Sequence, residues 1–168
     1  MPTKDLIVDP STLNLDHILC DVTEIRRYNL QRFEMEQLTA IVYLDREKNI
    51  AVGYKDITPN EFWVRGHMPQ YALMPGVIMC EAAAQLASFY TQKYDLLGAK
   101  VVGFGGLDEV SFRGPVVPGD RLILAIELLR CRRNAMLIAR FQGFVRTALV
   151  LEGKIKGIPL PIENPNFG

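Results

Sequence analysis

The sequence lacks most of the features that would assign a protein to a class by composition alone. Its 168 residues include three cysteines, two histidines and one tryptophan. Cys20, Cys80 and Cys131 are odd in number and widely spaced, so they predict neither a disulfide framework nor a zinc site. No glycine-rich phosphate loop is present either. We therefore expect no metal and no cofactor.

Neither sign of charge is in excess, because 19 Lys and Arg residues balance 19 Asp and Glu residues. Nucleic acids and anionic membranes both select a basic surplus, so neither is expected as a partner. No apolar run approaches the roughly 20 residues that a membrane-spanning helix needs. The N-terminal residues do not form a signal peptide, and we therefore expect a cytoplasmic protein.

Against this background, residues 65–92 form an unusual apolar stretch. From Met68 to Gln92 the only charged residue is Glu81. Pro75 fits the first position of a helix, where its missing N–H costs nothing. The stretch predicts a long buried helix from Pro75 to about Tyr94, whose first N–H groups have no acceptor within the helix.

The predicted helix has a narrow polar face. Its polar residues recur at i, i+4, i+7 and i+11: Glu81, Gln85, Ser88 and Gln92. Another face of the helix holds the apolar residues Val77, Cys80, Ala84 and Ala87. Two amides and a hydroxyl are groups that a half-buried site can satisfy, whereas a solvent-facing stripe normally carries several charges. An ordinary amphipathic helix with one exposed Glu is the alternative.

A histidine precedes this helix in a segment that Gly66 and Pro69 mark as an irregular turn. A lone histidine is more often structural than catalytic. Here, however, a candidate base, His67, a candidate acid, Glu81, and a free helix N-terminus fall within one apolar stretch. The sequence therefore predicts an active site at this position.

Residues 66–85 read GHMPQYALMPGVIMCEAAAQ, and residues 106–120 read GLDEVSFRGPVVPGD. Both blocks resemble segments of the β-hydroxyacyl-acyl carrier protein dehydratases of fatty acid synthesis. Ten residues of the active-site pattern keep their type and spacing: Gly66, His67, Pro69, Met74, Pro75, Gly76, Glu81, Ala82, Ala84 and Gln85. Three positions depart from the family: Gln70 and Ala72 replace a usual Gly and Pro, and Gln31 replaces a common His. These departures bear on substrate preference more than on chemistry.

The resemblance implies a hot-dog fold, in which a curved antiparallel sheet wraps around one long central helix. The residue patterns by themselves predict an α+β protein with mostly antiparallel strands. A hairpin is expected at about residues 35–44 and 50–57, and further strands at about 100–113, 121–130, 135–145 and 147–158. Residues 1–35 form an expected N-terminal arm, and residues 36–168 the hot-dog domain. Asp21 with Glu24 predicts a capped short helix at about residues 22–28 in the arm.

The resemblance also implies the chemistry, with His67 as the catalytic base and Glu81 as the catalytic acid. Glu81 can donate a proton only if its carboxyl is protonated, and an apolar surrounding disfavours the charged form. The free N–H groups of Gly76 and Val77 are suited to hold a thioester oxygen that gains negative charge. Together with Gln85 they are the expected substrate-binding residues.

The partners implied by the resemblance are an acyl carrier protein and a second copy of the chain. In the family the His of one subunit faces the Glu of the other, so a dimer holds two composite sites, and three such dimers often assemble. Six basic residues are candidates for contact with an acidic carrier: Lys100, Arg113, Arg132, Arg133, Lys154 and Lys156.

Two alternatives to a carrier-protein dehydratase remain open from the sequence. One is another hot-dog enzyme, either an enoyl coenzyme A hydratase or an acyl thioesterase. The other is a non-catalytic acyl-binding or scaffold protein that keeps the fold without turnover.

Overall fold

A computed structural model describes residues 5–163. Within this range the helices are α1 (Val22–Ile25) and α2 (Gly76–Lys93), together with 3-10 turns at Pro10–Thr12 and Phe33–Met35. The strands are β1 (Ala40–Asp45), β2 (Ile50–Asp56), β3 (Val102–Phe112), β4 (Arg121–Arg132), β5 (Met136–Val145) and β6 (Ala148–Pro159). They form one sheet in the order β1-β2-β4-β5-β6-β3. All five neighbouring pairs are antiparallel, as predicted.

The long helix α2 packs on one face of this sheet. Small residues on α2 are fully buried there, namely Ala82, Ala83 and Ala87. Their short side chains let the strands come close to the helix axis, while Leu86 and Phe89 fill the space on either side. Burial of these apolar groups is the main force that holds helix and sheet together.

Both faces of the central strand β4 are buried, because the sheet is covered on each side. Leu122, Leu124 and Ile126 join the core around α2, and the alternating residues Ile123 and Ala125 join a second cluster on the opposite face. The N-terminal segment covers this second face through apolar residues that include Ile7, Val8, Leu13 and Leu15. An uninterrupted apolar run in β4 is the expected pattern for such a strand.

The N-terminal residues are tied to the rest of the molecule by backbone and side-chain hydrogen bonds. The Ile7 N–H donates to Gln142 Oε1 at 2.8 Å. Cys20 forms a β-bridge with Ile41 of β1. The Asn29 Nδ2 donates to the Gln85 carbonyl oxygen of α2 at 2.9 Å. The boundary between arm and domain at residue 35 stays a prediction, and residues 1–4 and 164–168 lie outside the described range.

Two elements differ from the sequence prediction by three residues or more at one end. The Asp21 carboxylate accepts from the Glu24 N–H at 2.9 Å as predicted, but α1 ends at Ile25 instead of residue 28. β1 starts at Ala40 instead of residue 35, because Met35 and Gln37 bond to a side chain of α2. Their backbone groups are thereby withdrawn from strand pairing.

No helix within residues 5–163 is long and apolar enough to cross a membrane. All three cysteines are free thiols. Cohesion of the described chain therefore comes from packing and hydrogen bonds without a covalent cross-link.

Truncation of a leucine in the α2 core should lower the free energy of unfolding far more than truncation of a leucine at the surface. Leu86 is fully buried, and Leu129 of β4 is 49% exposed. We expect Leu86→Ala to lower the free energy of unfolding by about 2–5 kcal/mol, because it leaves a cavity in close-packed surroundings. Leu129→Ala should cost under about 0.5 kcal/mol. Urea unfolding followed by circular dichroism at one protein concentration measures both, and equal losses would contradict the packing described.

Candidate active site

Helix α2 starts with two backbone N–H groups that have no acceptor within the described chain. Pro75 caps the helix with φ −59° and ψ 134°, so the helix begins at Gly76, one position after the predicted start. Its carbonyl oxygen accepts from the Ile78 N–H at 2.9 Å and the Met79 N–H at 3.1 Å. The N–H groups of Gly76 and Val77 have no hydrogen-bond acceptor among the described residues. This end of the helix can therefore bind a negatively charged oxygen.

The prediction for the apolar face of α2 is partly wrong. Cys80 and Ala87 are buried and Ala84 is half-buried, but the Val77 side chain is 73% exposed. Val77 lies in the first turn of α2, before the helix enters the sheet.

The glycine at the helix start allows a close contact with β3. A Cβ atom at Gly76 would lie 2.7 Å from the Cε1 and Cζ atoms of Phe112, which is closer than real contacts allow. The last residue of β3 therefore lies directly against the first residue of α2. Only glycine fits at this position without a shift of the ring.

His67 is held in the loop before α2 by three hydrogen bonds. Its N–H donates to the Trp63 carbonyl at 2.8 Å, and its carbonyl accepts from the Leu73 N–H at 2.8 Å. The ring atom Nδ1 lies 2.6 Å from the Leu73 carbonyl oxygen. A carbonyl oxygen can only accept, so Nδ1 carries the hydrogen of this bond. Nε2 of the neutral ring is then the unprotonated nitrogen and can accept a proton.

The same loop is anchored at both of its ends. Trp63, at its start, is almost completely buried in the core. Met74, at its end, is also buried, and its N–H donates to the Val116 carbonyl at 2.8 Å. These anchors hold the His67 ring in a fixed place although the loop has no regular secondary structure.

Glu81 is held by Gln85, one helical turn further along α2. Gln85 Nε2 donates to Glu81 Oε1 at 2.9 Å and to the Met35 carbonyl at 2.7 Å. Gln85 Oε1 accepts from the Gln37 N–H at 2.9 Å. Both amide hydrogens of Gln85 are used, and its side chain is 2% exposed. The second carboxyl oxygen of Glu81 forms no hydrogen bond within residues 5–163.

Glu81 also lines a cavity of about 180 Å³ between α2 and the sheet. The helix side of the wall consists of Glu81, Ala84, Ala87 and Ser88, and Gln31 of the arm lies beside them. Strands β3, β5 and β6 supply the remaining lining residues: Val102, Gly103, Phe104, Leu137, Ile155, Lys156 and Gly157. Apolar side chains and polar groups therefore share the wall of the cavity, which lies beside a carboxyl group.

Of the residues predicted for the site, Glu81 and Gln85 are joined directly, and Gly76 and Val77 lie at the start of the same helix. His67 lies in the preceding loop, but it does not line the cavity that Glu81 lines. Among the described residues no hydrogen bond links His67 to Glu81. One copy of the chain thus presents the candidate base and the candidate acid at separate positions.

The structure gives little support for a cysteine nucleophile or for a metal site next to Glu81. Burial raises the pKa of the neighbouring Cys80 thiol, which therefore stays protonated and is a poor nucleophile. Within residues 5–163 no group of three or more His, Cys, Asp or Glu side chains is arranged to bind a metal ion.

The sequence did not point to Gln37 or to the Met35 carbonyl as part of this site. The bond from Gln37 to Gln85 spans 48 residues, and that from Gln85 to Met35 spans 50. No periodicity connects residues so far apart. Gln31 carried a signal, since it replaces a residue common in the resembling family, but its place in the cavity wall emerges only from the fold.

Comparison with known proteins assigns the chain to a family. The family model of the FabA-like domain matches residues 29–154, and the chain therefore belongs to the FabA-like family. A 3-hydroxyacyl-[acyl-carrier-protein] dehydratase FabZ of Clostridium botulinum strain Okra is 35% identical over 135 residues, which cover 80% of this chain and 88% of that protein. The FabZ of Desulfotalea psychrophila is 35% identical over 127 residues, covering 74% and 83%.

Solved structures are similar in fold. The dehydratase heterocomplex ApeI:P from Xenorhabdus doucetiae aligns with a TM-score of 0.69 at 13% identity, covering 81% of this chain and 90% of that chain. Cj0977, a sigma28-regulated virulence protein from Campylobacter jejuni, aligns with a TM-score of 0.63 at 19% identity, covering 84% and 91%. These likenesses concern the fold alone, and they confirm the predicted hot-dog fold.

Removing the Gln85 amide should destabilise the protein more than removing a comparable amide of the same helix. Gln85→Leu leaves the buried Gln37 N–H and the Met35 carbonyl without partners, so we expect a loss of about 2–4 kcal/mol in the free energy of unfolding. Gln92 Nε2 makes one bond, to the Lys100 carbonyl in an exposed setting. Gln92→Leu should therefore cost under about 1 kcal/mol. Denaturant unfolding of both variants checks this, and a Gln85→Leu protein as stable as Gln92→Leu would refute the network.

Proposed function

We propose that this protein is a hydro-lyase of fatty acid biosynthesis that dehydrates 3-hydroxyacyl-acyl carrier protein to trans-2-enoyl-acyl carrier protein. Its family membership and its FabZ relatives support the reaction class. The observation that carries the proposal is the Glu81 carboxyl, which Gln85 holds at the wall of the cavity between α2 and the sheet. A carboxyl at the wall of a cavity of this size is placed to act as a general acid, which protonates a leaving hydroxyl group.

The reaction requires a proton to leave C2 of the acyl chain and a hydroxyl group to leave C3. His67 Nε2 accepts the C2 proton, because the Nδ1–H bond to Leu73 leaves Nε2 unprotonated. The N–H groups of Gly76 and Val77 donate to the thioester oxygen, which gains negative charge as the proton departs. Glu81 protonates the C3 hydroxyl, water leaves, and the C2–C3 double bond forms.

Gln85 acts as a positioning residue in this proposal instead of the substrate-binding residue that the sequence led us to expect. Both of its amide hydrogens are already donated, to Glu81 and to Met35. Its bond to Oε1 fixes the rotation of the Glu81 carboxyl. The other carboxyl oxygen is thereby left to donate to substrate.

The active assembly we propose is a homodimer in which His67 of one copy serves Glu81 of the other. The support is β3, which pairs only with β6 among the described strands and leaves its other edge open. Phe104, Leu107 and Phe112 are exposed along this edge strand. A long apolar strand edge is normally covered, and pairing with a second copy would cover it.

The opposite edge of the sheet, at β1, is less available for pairing with a second copy. The N–H groups of Leu19 and Cys20 donate to the Ile41 carbonyl of β1, and the Ile41 N–H donates to Cys20. This contact occupies part of the β1 edge. β3 also lies against the helix start through Gly76 and Phe112, so an interface along β3 would lie close to the free N–H groups.

We propose that the acyl carrier protein docks beside Lys156, at the mouth of the cavity. We also propose that the reaction takes place in the cytoplasm. Three of the six basic residues considered from sequence are paired with carboxylates: Arg113, Arg133 and Lys154. Lys156 is exposed, lines the cavity and forms no ion pair among the described residues. Its charge is thus available to an acidic carrier protein that delivers the acyl chain.

Removal of either catalytic group should abolish most turnover. We expect His67→Ala and Glu81→Gln each to lower kcat by about 10²–10⁴, because each removes a proton-transfer group. Absorbance of the conjugated enoyl thioester formed from 3-hydroxyacyl-acyl carrier protein measures the rate. His17→Ala, at an exposed histidine, is the matched control and should keep full activity. Unchanged turnover in both active-site variants would exclude the mechanism, and release of free thiol would indicate a thioesterase.

Composite sites predict that two inactive variants complement each other. In a mixed dimer of His67→Ala and Glu81→Gln chains, one of the two sites contains both an intact His67 and an intact Glu81. Random exchange of subunits should therefore restore about a quarter of wild-type activity, as two-fold symmetry requires. The variants are unfolded together, refolded and assayed, with separately refolded samples as controls. No recovery in a mixture shown to contain mixed dimers would place both residues of each site on one chain.

A further inference from the structure

The short turn Phe33–Met35 exposes an aromatic side chain on a strained backbone. The Phe33 side chain is 87% exposed, the largest value among the large apolar residues that the structure describes. Its φ is +56°, in the left-handed region that bulky residues rarely adopt. Such strain persists only where the surrounding structure imposes it, and it is concentrated at functional sites. The turn is therefore a candidate for a contact that a single copy of the chain does not make.

Hydrogen bonds on both sides hold this turn in place. Before it, the Arg32 guanidinium donates to the Asn29 carbonyl at 2.8 Å. After it, the Met35 carbonyl accepts from Gln85 Nε2 of α2 at 2.7 Å. These bonds fix the backbone from which the Phe33 ring projects.

The turn borders the candidate acid. Gln85 Nε2 donates to the Met35 carbonyl and to Glu81 Oε1, so these two oxygens lie no more than two hydrogen-bond lengths apart. Gln31, two residues before Phe33, lines the cavity together with Glu81. A second copy that approaches Glu81 therefore comes close to this turn.

The pairing along β3 proposed above determines which part of a second copy comes here. A strand that pairs with its own copy about a two-fold axis runs antiparallel to it. The Phe112 end of one β3 then lies beside the Phe104 end of the other. Phe112 lies against Gly76 at the start of α2, whereas Phe104 lines the cavity beside Glu81. The helix start of the second copy, with the loop before it, therefore faces the Glu81 cavity and the turn.

We propose that the Phe33–Met35 turn of one copy docks the loop of residues 65–71 of the other copy, and that Phe33 is a positioning residue for His67 of that copy. The proposal rests on the function and the shared site proposed above. Docking this loop on a turn that is tied to α2 fixes the distance from His67 to Glu81 across the interface. The base and the acid then act on one substrate chain.

The two surfaces match in polarity and in charge. Met68 and Tyr71 of the loop are 49% and 58% exposed, so the loop offers apolar surface to the Phe33 ring. Glu34, next to Phe33 in the turn, and Arg65, at the start of the loop, are both exposed. Neither takes part in an ion pair within residues 5–163. Opposite charges across the interface favour one register of docking.

Charge reversal tests whether the contact joins two copies. Glu34→Arg and Arg65→Glu each place like charges at both contacts of a symmetric dimer, and we expect each to weaken dimerisation about tenfold. An equal mixture of the two variants should restore it, because the mixed dimer again pairs opposite charges at both contacts. Sedimentation over a series of protein concentrations measures the association. Glu47→Arg, at an exposed residue between β1 and β2, is the control and should leave association unchanged.

Substitutions of Phe33 separate docking from backbone strain. Phe33→Gly relieves the strain at φ +56° but removes the ring, whereas Phe33→Leu keeps an apolar side chain on the same backbone. At protein concentrations that maintain the dimer, we expect kcat of Phe33→Gly to fall by about 10–10², because His67 of the other copy is displaced. KM should change little, since the cavity itself is unaltered. Phe33→Leu should retain most of the activity, and far-UV circular dichroism checks that both variants fold.

Each alternative gives a different result. Rescue by the double variant Glu34→Arg/Arg65→Glu but not by the mixture would place the contact within one chain and overturn the proposal. Unchanged association in both single variants, or full kcat in Phe33→Gly, would also overturn it. An increase in KM for carrier-bound substrate alone, with intact association, would assign the turn to the carrier protein instead. Wild-type protein that dimerises but turns over no substrate would overturn the proposed function, while the sedimentation test of docking would still stand.

Discussion

The hydrogen bond between Gln85 and Glu81 is the interaction on which the site depends. The Glu81 carboxyl is half-buried on the central helix, and one of its oxygens is held by a protein group. Gln85 provides this and at the same time binds the backbone at Met35 and Gln37. One side chain therefore joins the central helix, the candidate acid and the segment that leads into β1. The late start of β1 is a direct consequence.

The arrangement of the sheet bears on why one copy of the chain would form only part of the proposed active site. It encloses α2 on one side, is covered by the N-terminal segment on the other, and ends in an open apolar edge at β3. The free N–H groups at Gly76 and Val77 lie at the end of α2 that contacts this strand through Phe112. His67 lies outside the cavity that Glu81 lines. The separate positions of His67 and Glu81 and the open edge at β3 agree with the proposed site shared between two copies.

The departures from the family pattern lie at different places in the fold. Gln70 is exposed in the loop after His67, and Ala72 is half-buried in the same loop. Neither residue takes part in the hydrogen bonds that orient His67 or Glu81. Gln31 lies in the cavity wall. The chemistry of the family is thus compatible with this chain, and the departure at Gln31 lies in the cavity wall.

The sequence by itself determined the long helix, the antiparallel strands after it and the candidate residues His67 and Glu81. These follow from local patterns: a proline at a helix start, polar residues at helical spacing and alternating strands, all of which depend on neighbours within a few turns. Only the tertiary structure decided that Val77 is exposed, that Met35 and Gln37 bond to Gln85, and that Gln31 borders the cavity. Those facts depend on contacts between residues about fifty positions apart. Local periodicity carries no information about such contacts, because they exist only once the helix is packed against the sheet.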